Sequence, residues 1–543
     1  MVFLANFAQK AAKIHRIISP TYFRSLIMIG LHLDLKWTMY RREFFQKIVR
    51  YVHELGMDTI LLEFENKIFI ERFRPAIHPD AWSAEDLKWF LRLCHKYGIT
   101  VIPKIPLLGH MEWILQWPWW AHLQEHFDRR EICPSHPETP GFVARLLEHI
   151  LTLFPDAPFI HLGGDETFSL GTCSRCHDSG KPKSELYMDH YFPLFNQVRA
   201  AGKRPMIYGD MILAHPEIIT KLPRTVIICD WDYSSGAFPG RTVWGYNPVG
   251  SPDELKKLPP PLKRFRKYFI DRDGTLTTFP YSLFLKKEGF EVVLMPSARC
   301  LGDHYCAPRT WLHVRNAHAA GRKAADLNLT GMIITSWAIR FNHLQTNWPA
   351  IAAGAWSYFE PQTQLSQLSE RFARQFWGLD CPEVFDILDL LSPELPDLHA
   401  GTADPYPPNI VHKYIQHLYK DTESKACKFV EQKLAEVRKS YTSGWRQLHR
   451  LKNKIRRNRD IYEHWLLAAT TLKHKAQTTP DLIRLVQGRK IPSGKRKQII
   501  KEIDELWRRY QDVFGKTMLK ASCEMEIQLR FSEARDIFKN TVS

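Results

Sequence analysis

From about residue 25 to residue 355 the chain repeats one alternation. A short, nearly unbroken apolar run is followed by a stretch with apolar residues at three- and four-residue spacing. The apolar runs fall at 26–35, 59–64, 100–105, 158–162, 205–208, 225–229, 291–295 and 331–336. Helical patterns at 41–55, 84–97, 140–154, 186–201 and 310–325 stand between most of them. Strands that lack polar alternation are covered on both faces, which requires a parallel sheet wrapped by helices. Eight such units predict an α/β fold of the (β/α)8 TIM type, a closed barrel whose working face lies at the C-terminal ends of the strands.

The rhythm breaks twice. The stretch 234–289 holds Pro259-Pro260-Pro261 and the basic run KRFRKYF, and reads as a long insertion after the sixth strand. Beyond about residue 361 only helical patterns remain, at 364–377, 424–458, 461–477 and 495–540, with a proline-rich segment at 393–408. The expected organisation is a lead-in at 1–25, a catalytic barrel at 26–360 and a basic, all-helical C-terminal domain at 361–543. The net charge is +17, and the region from Asn409 to Ser543 holds +15 of it, with 30 Lys/Arg against 15 Asp/Glu. Such an excess reads as a solvated helical face or a polyanion-binding surface. No base-reading motif accompanies it, so nucleic acid is not an expected partner.

A hydrophobic content of 44% excludes disorder as the main state. No uncharged run approaches the roughly 18 residues of a membrane span, so no membrane partner is expected. The N-terminal MVFLANFAQKAAKIHRII is broken by Lys10, Lys13 and Arg16, which argues against a secretory signal and for a cytoplasmic location. Ten cysteines in 543 residues are too sparse for a disulfide scaffold. The pair Cys173-x-x-Cys176 is half of a zinc motif; Cys133 and His136 would join it only if the fold brought them near. With no second CxxC at finger spacing, packed loop thiols are expected and no metal or other cofactor.

The segment PFIHLGGDETFSLG, Pro158 to Gly171, carries the chemistry. An apolar strand ends in His161, two glycines permit a sharp turn, and the adjacent acids Asp165 and Glu166 follow. Past the strand end the alternation of side chains lapses, so both carboxylates can enter one pocket. Other strand ends are equally polar. They place His32, Asp34 and Trp37; Glu63, Glu65 and Asn66; His110, Glu112 and Trp113; Tyr208 and Asp210; Asp230, Trp231, Asp232 and Tyr233; and Trp337, Arg340 and His343. Acids, histidines and large aromatic faces together suit a sugar, whose hydroxyls need polar partners and whose ring face stacks. The catalytic candidates are Asp165 and Glu166. The substrate-binding candidates are Asp34, Glu65, His110, Tyr208, Asp210, Trp231, Tyr233 and Trp337.

HLGGDE after an apolar strand resembles the signature of family 20 glycoside hydrolases, the β-N-acetylhexosaminidases. The stretches HLDLK, LLEFEN, PLLGH and TSWAIRFNH, in that order, resemble its hexosaminidase D branch. The resemblance covers about residues 26 to 360. It implies an exo-acting retaining enzyme that removes terminal β-linked N-acetylglucosamine or N-acetylgalactosamine, with the substrate's own acetamido oxygen as nucleophile. It further implies Glu166 as general acid and base, and Asp165 as the group that holds the acetamido N–H. Trp231 and Trp337 would wall the sugar, Tyr233 or Tyr208 would hold the acetamido oxygen, and His110, Asp34 and Glu65 would contact hydroxyls or orient the acids. Mutual repulsion of Asp165 and Glu166 is expected to keep one protonated near neutral pH. Secreted members carry an Arg on the first strand, where Ile29 stands here, and a Trp-x-Glu on the eighth, where Trp337 precedes Ala338 and Ile339. Those departures leave a second reading open: an impaired barrel that binds amino sugars as a sensor or scaffold.

Overall fold

The computed structural model describes residues 27–393, apart from 239, 245–246, 258–259, 301, 305 and 339–342, and residues 425–540. The lead-in at 1–25, nearly all of the proline-rich segment and Arg340 lie outside the described residues.

The eight strands that close the barrel are β1 (Met28–Asp34), β2 (Thr59–Glu63), β3 (Thr100–Lys104), β4 (Phe159–His161), β5 (Arg204–Tyr208), β6 (Ile227–Trp231), β7 (Val292–Met295) and β8 (Gly331–Ser336), with a short ninth, Ser297–Arg299, beside β8. Neighbours pair in parallel and in chain order, and β8 returns to pair with β1 from Met28–Gly331 to Leu33–Ser336. The sheet is therefore a closed (β/α)8 barrel, with a strand at each of the eight apolar runs. Each strand sends at least one apolar side chain to the interior: Met28, Leu61, Ile102, Phe159, Met206 with Tyr208, Ile227 with Cys229, Val293 with Met295, and Ile333. That filling makes the barrel a packed core rather than a pore, and confines any ligand site to its mouth.

The outer ring includes α1 (Arg42–Glu54), α2 (Ala84–Lys96), α3 (Thr139–Leu153), α4 (Lys183–Ala200), α5 (Pro280–Lys287), α6 (Thr310–Asp326) and α7 (Trp348–Phe359). The spacing of α1 explains its pose: Phe44, Phe45, Ile48, Val49 and Val52 share one buried face. The N-terminus of α2 is fixed by a reciprocal Ser83–Asp86 capping box. Between β3 and α3 the chain makes a small antiparallel hairpin, Gln124–Glu125 with Asp128–Ile132. Between β6 and α5 it makes another, Thr242–Trp244 with Asn247–Val249.

The C-terminal region is helical: α8 (Lys425–Leu451), α9 (Arg459–Val486), α10 (Ser493–Phe514) and α11 (Lys520–Asn540). These helices share one apolar cluster with the outside of the barrel. The backbone joins them as well. Leu519 N–H donates to Met39 O (2.8 Å) and Arg41 N–H to Thr517 O (2.7 Å). Ser522 donates its N–H and hydroxyl to Asp80 Oδ2 at 2.7 and 2.8 Å. His343, expected at the mouth, belongs to this seam instead. It is 2% exposed, its Nε2 lies 2.8 Å from Thr517 Oγ1, and its ring packs on His464 at 4.0 Å.

Candidate active site

The turn after β4 is forced by its glycines. Gly163 and Gly164 have φ of 71° and 94°, where a side chain is strained. A Cβ on Gly164 would stand 2.5 Å from Tyr187 Oη, whose hydroxyl donates to Gly164 O. The turn thus lies flat against α4, and delivers Asp165 and Glu166 to the barrel mouth. Glu166 itself sits at φ 50°, and its N–H donates to Asp210 Oδ2 at 2.9 Å. Asp210, from the end of β5, acts on the backbone that aims Glu166.

The loop after β3 comes from the other side. Gly109 presses against this turn so closely that a Cβ there would be 2.6 Å from Asp165 O. His110 follows with φ 55°, and its Nε2 lies 3.4 Å from Asp165 Oδ2 and 3.4 Å from Glu166 Oε2. One imidazole nitrogen therefore brings both carboxylates to a common point. The side chains differ in access: Asp165 is 8% exposed, His110 26% and Glu166 37%. Burial pulls the His110 pKa down, but the Asp165 charge and hydrogen bonds to both acids overcome it and hold the imidazolium well above its usual range. Burial likewise raises Asp165, and His110 then Lys104 reverse the shift, leaving Asp165 lowered and ionised. The charge on Asp165 is matched by a cation between the acids.

Repulsion does operate nearby. Lys36 Nζ lies 3.0 Å from both Glu65 Oε1 and Glu112 Oε1. Burial is the largest cause that lifts Glu65, to about 8; Lys36 opposes it and the Glu112 charge adds to it. Glu112 moves the other way, its burial outweighed by Lys36 and His110. One carboxylate is held neutral and its neighbour ionised. An unfolded Glu65 would lose its proton near pH 4.3, but the folded one keeps it to about 8. In that window the folded state binds more protons, so stability falls as pH rises. Thermal unfolding of Glu65→Gln from about pH 5 to about pH 8 should therefore show the variant gaining on the parent as pH increases; parallel profiles would count against this.

A charged layer lies under the acids. Glu63 Oε2 accepts from His32 Nε2 at 2.8 Å, and Glu63 Oε1 from Lys104 Nζ at 2.6 Å, all buried. Lys104 also stands 5.0 Å from the Trp337 ring centroid and 5.3 Å from that of Tyr208, within cation–π range. The sequence reading passed over Lys104. Its signal was a lysine closing the apolar run of β3, where an unpaired charge could not stay.

The aromatic candidates form one wall. Trp231 stacks on Tyr233 at 5.2 Å and 30°, and Trp337 Nε1 donates to Tyr233 Oη at 2.8 Å. All three are partly exposed. The remaining candidates are enclosed. Asp34 is 5% exposed and accepts the N–H groups of Lys36 and Ala338, tying β1 to β8. Tyr208 is fully buried, with its ring 4.3 Å from His161. Glu65 is buried on Lys36. Asp34 and Tyr208 are the last residues of β1 and β5, and all three groups are enclosed by protein. Asp230 and Asp232 are also spent locally, on the Ser282 hydroxyl and on the N–H groups of Ser234 and Ser235.

Residues 67–256 match the family model "Glycosyl hydrolase family 20, catalytic domain". That span contains His110, Asp165, Glu166, Asp210, Trp231 and Tyr233. Over that span the barrel is similar to the family 20 glycosyl hydrolases. The chain is 28% identical to hexosaminidase D of Bos taurus over 327 residues, which is 58% of this chain and 84% of that protein. It is 27% identical to hexosaminidase D of Homo sapiens over 336 residues, 60% of this chain but under two thirds, 62%, of that one. It is also similar to the crystal structure of a beta-N-acetylhexosaminidase from Bacteroides fragilis, at 17% identity and a TM-score of 0.44, over 61% of this chain and 66% of the other. Ile29, where secreted members were expected to differ, sits at the start of β1, 2% exposed, with its N–H on Asp58 Oδ1.

Proposed function

We propose that the protein is an exo-acting, retaining β-N-acetylhexosaminidase that uses the substrate's acetamido group as nucleophile. The observation that carries this reading is the convergence of Asp165 and Glu166 on His110 beside the Trp231–Tyr233–Trp337 wall. Family 20 relatedness and the two proteins named hexosaminidase D support it.

In this reading the sugar ring stacks on the tryptophans. The acetamido carbonyl oxygen attacks the anomeric carbon while Glu166 gives its proton to the departing glycosidic oxygen. The bond from carbon to leaving oxygen breaks, and a cyclic oxazolinium forms. Asp165, ionised and nearly buried, accepts the acetamido N–H and offsets the charge that grows on it. Water then donates its proton to the Glu166 carboxylate and attacks the anomeric carbon, which reopens the ring with retained configuration. Holding the nucleophile within the substrate removes a bimolecular entropy cost of up to roughly 7–11 kcal/mol.

The test is hydrolysis of aryl β-N-acetylglucosaminide and aryl β-N-acetylgalactosaminide by the full chain. Turnover of at least one is expected. Sugar binding without turnover of either would favour a sensor or scaffold.

A further inference from the structure

We propose that Glu125, Cys133, Cys173 and Cys176 form a structural zinc site that clamps the loop carrying His110 to the loop carrying Asp165 and Glu166. The four residues come from two separate connections. Glu125 and Cys133 belong to the hairpin region between β3 and α3; Cys173 and Cys176 follow the acids, at the head of a short helix, Ser174–Asp178. One ligand atom from each lies within 4.8 Å of every other.

The spacing is that of a coordination shell. Cys133 Sγ is 3.4 Å from Cys173 Sγ and 3.7 Å from Cys176 Sγ, and Cys176 Sγ is 3.3 Å from Glu125 Oε2. A tetrahedral zinc with sulfur at about 2.3 Å and oxygen at about 2.0–2.2 Å has edges of roughly 3.5–3.8 Å, so a single ion fits at the centre. The separations are too long for a disulfide, whose sulfurs stand at about 2.05 Å.

Charge points the same way. Glu125 is fully buried, and among the described residues no Lys, Arg or His pairs with it. Its carboxylate accepts the Cys173 N–H, at 2.7 Å, and the thiol of Cys176. Burying a carboxylate with no countercharge is expensive, and a divalent cation supplies that charge. The groups around the set would orient it. The Cys173 N–H fixes the Glu125 carboxylate, the Cys176 N–H reaches Cys173 Sγ at 3.5 Å, and Ser135 Oγ is 3.1 Å from Cys176 Sγ. Another trio, Cys300, Asp303 and His313, lacks this logic, because Arg309 Nε already pairs with Asp303 at 2.8 Å. Of the two further ligands the sequence offered, Cys133 is in the set and His136 is not; the His136 Nδ1 accepts the Glu138 N–H.

The clamp would act on the acids' loop alongside two protein contacts already there, Ser169 N–H to Glu131 and Ser169 Oγ to Asp128, both 2.8 Å. Binding is a ligand exchange with no redox step. The thiol protons pass to solvent as the thiolates take the metal.

The experiment is metal analysis of the full chain, produced with zinc in the medium and gel-filtered, with thiol titration after denaturation. One zinc per chain is expected, with ten titratable thiols once it is chelated. Replacement by Co2+ should produce thiolate-to-cobalt charge-transfer bands and tetrahedral d–d bands. Cys133→Ser and Cys176→Ser should lower zinc affinity by more than about tenfold, the smallest loss expected even for an outer partner of a ligand. If those variants do not fold, the metal content and cobalt spectrum of the parent decide. Ten thiols with no retained zinc and no cobalt bands would overturn the proposal, as would a thiol deficit that maps to a Cys133–Cys173 disulfide.

Discussion

Glu166→Gln is expected to lower kcat and kcat/KM on an aryl β-N-acetylglucosaminide together, by about 10²–10⁴-fold, the range for a general acid and base. The substitution is nearly isosteric. Asp210 accepts from the Glu166 backbone, and that bond survives the change of side chain. The glycine turn and the contacts to Tyr187 are untouched, so unfolding does not explain the loss. The leaving group separates the roles further. A strongly activated aryl group departs without a proton, so the variant should form the oxazolinium nearly as fast as the parent on such a substrate and stall on poor leaving groups. Steady-state rates across a series of phenols read this directly. A variant within about tenfold of the parent on every phenol would remove Glu166 from the chemistry.

Asp165→Asn is expected to cost about 10²–10³-fold in kcat, roughly 3–4 kcal/mol, the scale for deleting one preorganised electrostatic partner of the transition state. The side chain is 8% exposed, so its charge acts through little water. The second signature is selectivity. The parent should strongly prefer the 2-acetamido sugar over its 2-hydroxy counterpart, since the latter has no internal nucleophile. Asn cannot steady the growing positive charge on the acetamido nitrogen, so the preference should shrink. Equal cleavage of the plain glucoside by the parent would refute acetamido participation outright. The mutation also strips His110 of the anion that most raises it, so ring-nitrogen NMR should show its titration moving to lower pH.

The barrel was legible because parallel strands buried on both faces leave unbroken apolar runs, and each run became a strand. The acid pair was legible because glycines and acids at a strand end stand out from such a background. What escaped was whatever depends on distance between segments. Lys104 looks like an ordinary strand end until Glu63 and His32 are placed beside it. His343 reads as a mouth residue, yet Thr517, 174 positions away, claims it. Asp34, Glu65 and Tyr208 have the right chemistry for a sugar, but their burial is not written in spacing. Cys133 and the Cys173–Cys176 pair are 40 residues apart, and Glu125 carries no motif at all.

The seam between barrel and helices limits how the chain can be shortened. Met39 and Tyr40 follow β1, one of the strands that close the barrel, and they are held by residues near 517–522. Asp80 relies on Ser522, and Asp460 receives Lys47 and Gln345. A fragment ending after α7 would keep every residue of the candidate site, yet it would strip apolar cover from α1 and orphan polar groups on the flank of β1. Crystallography, directed evolution or fusion work aimed at the sugar-binding face should therefore carry the polypeptide through α11.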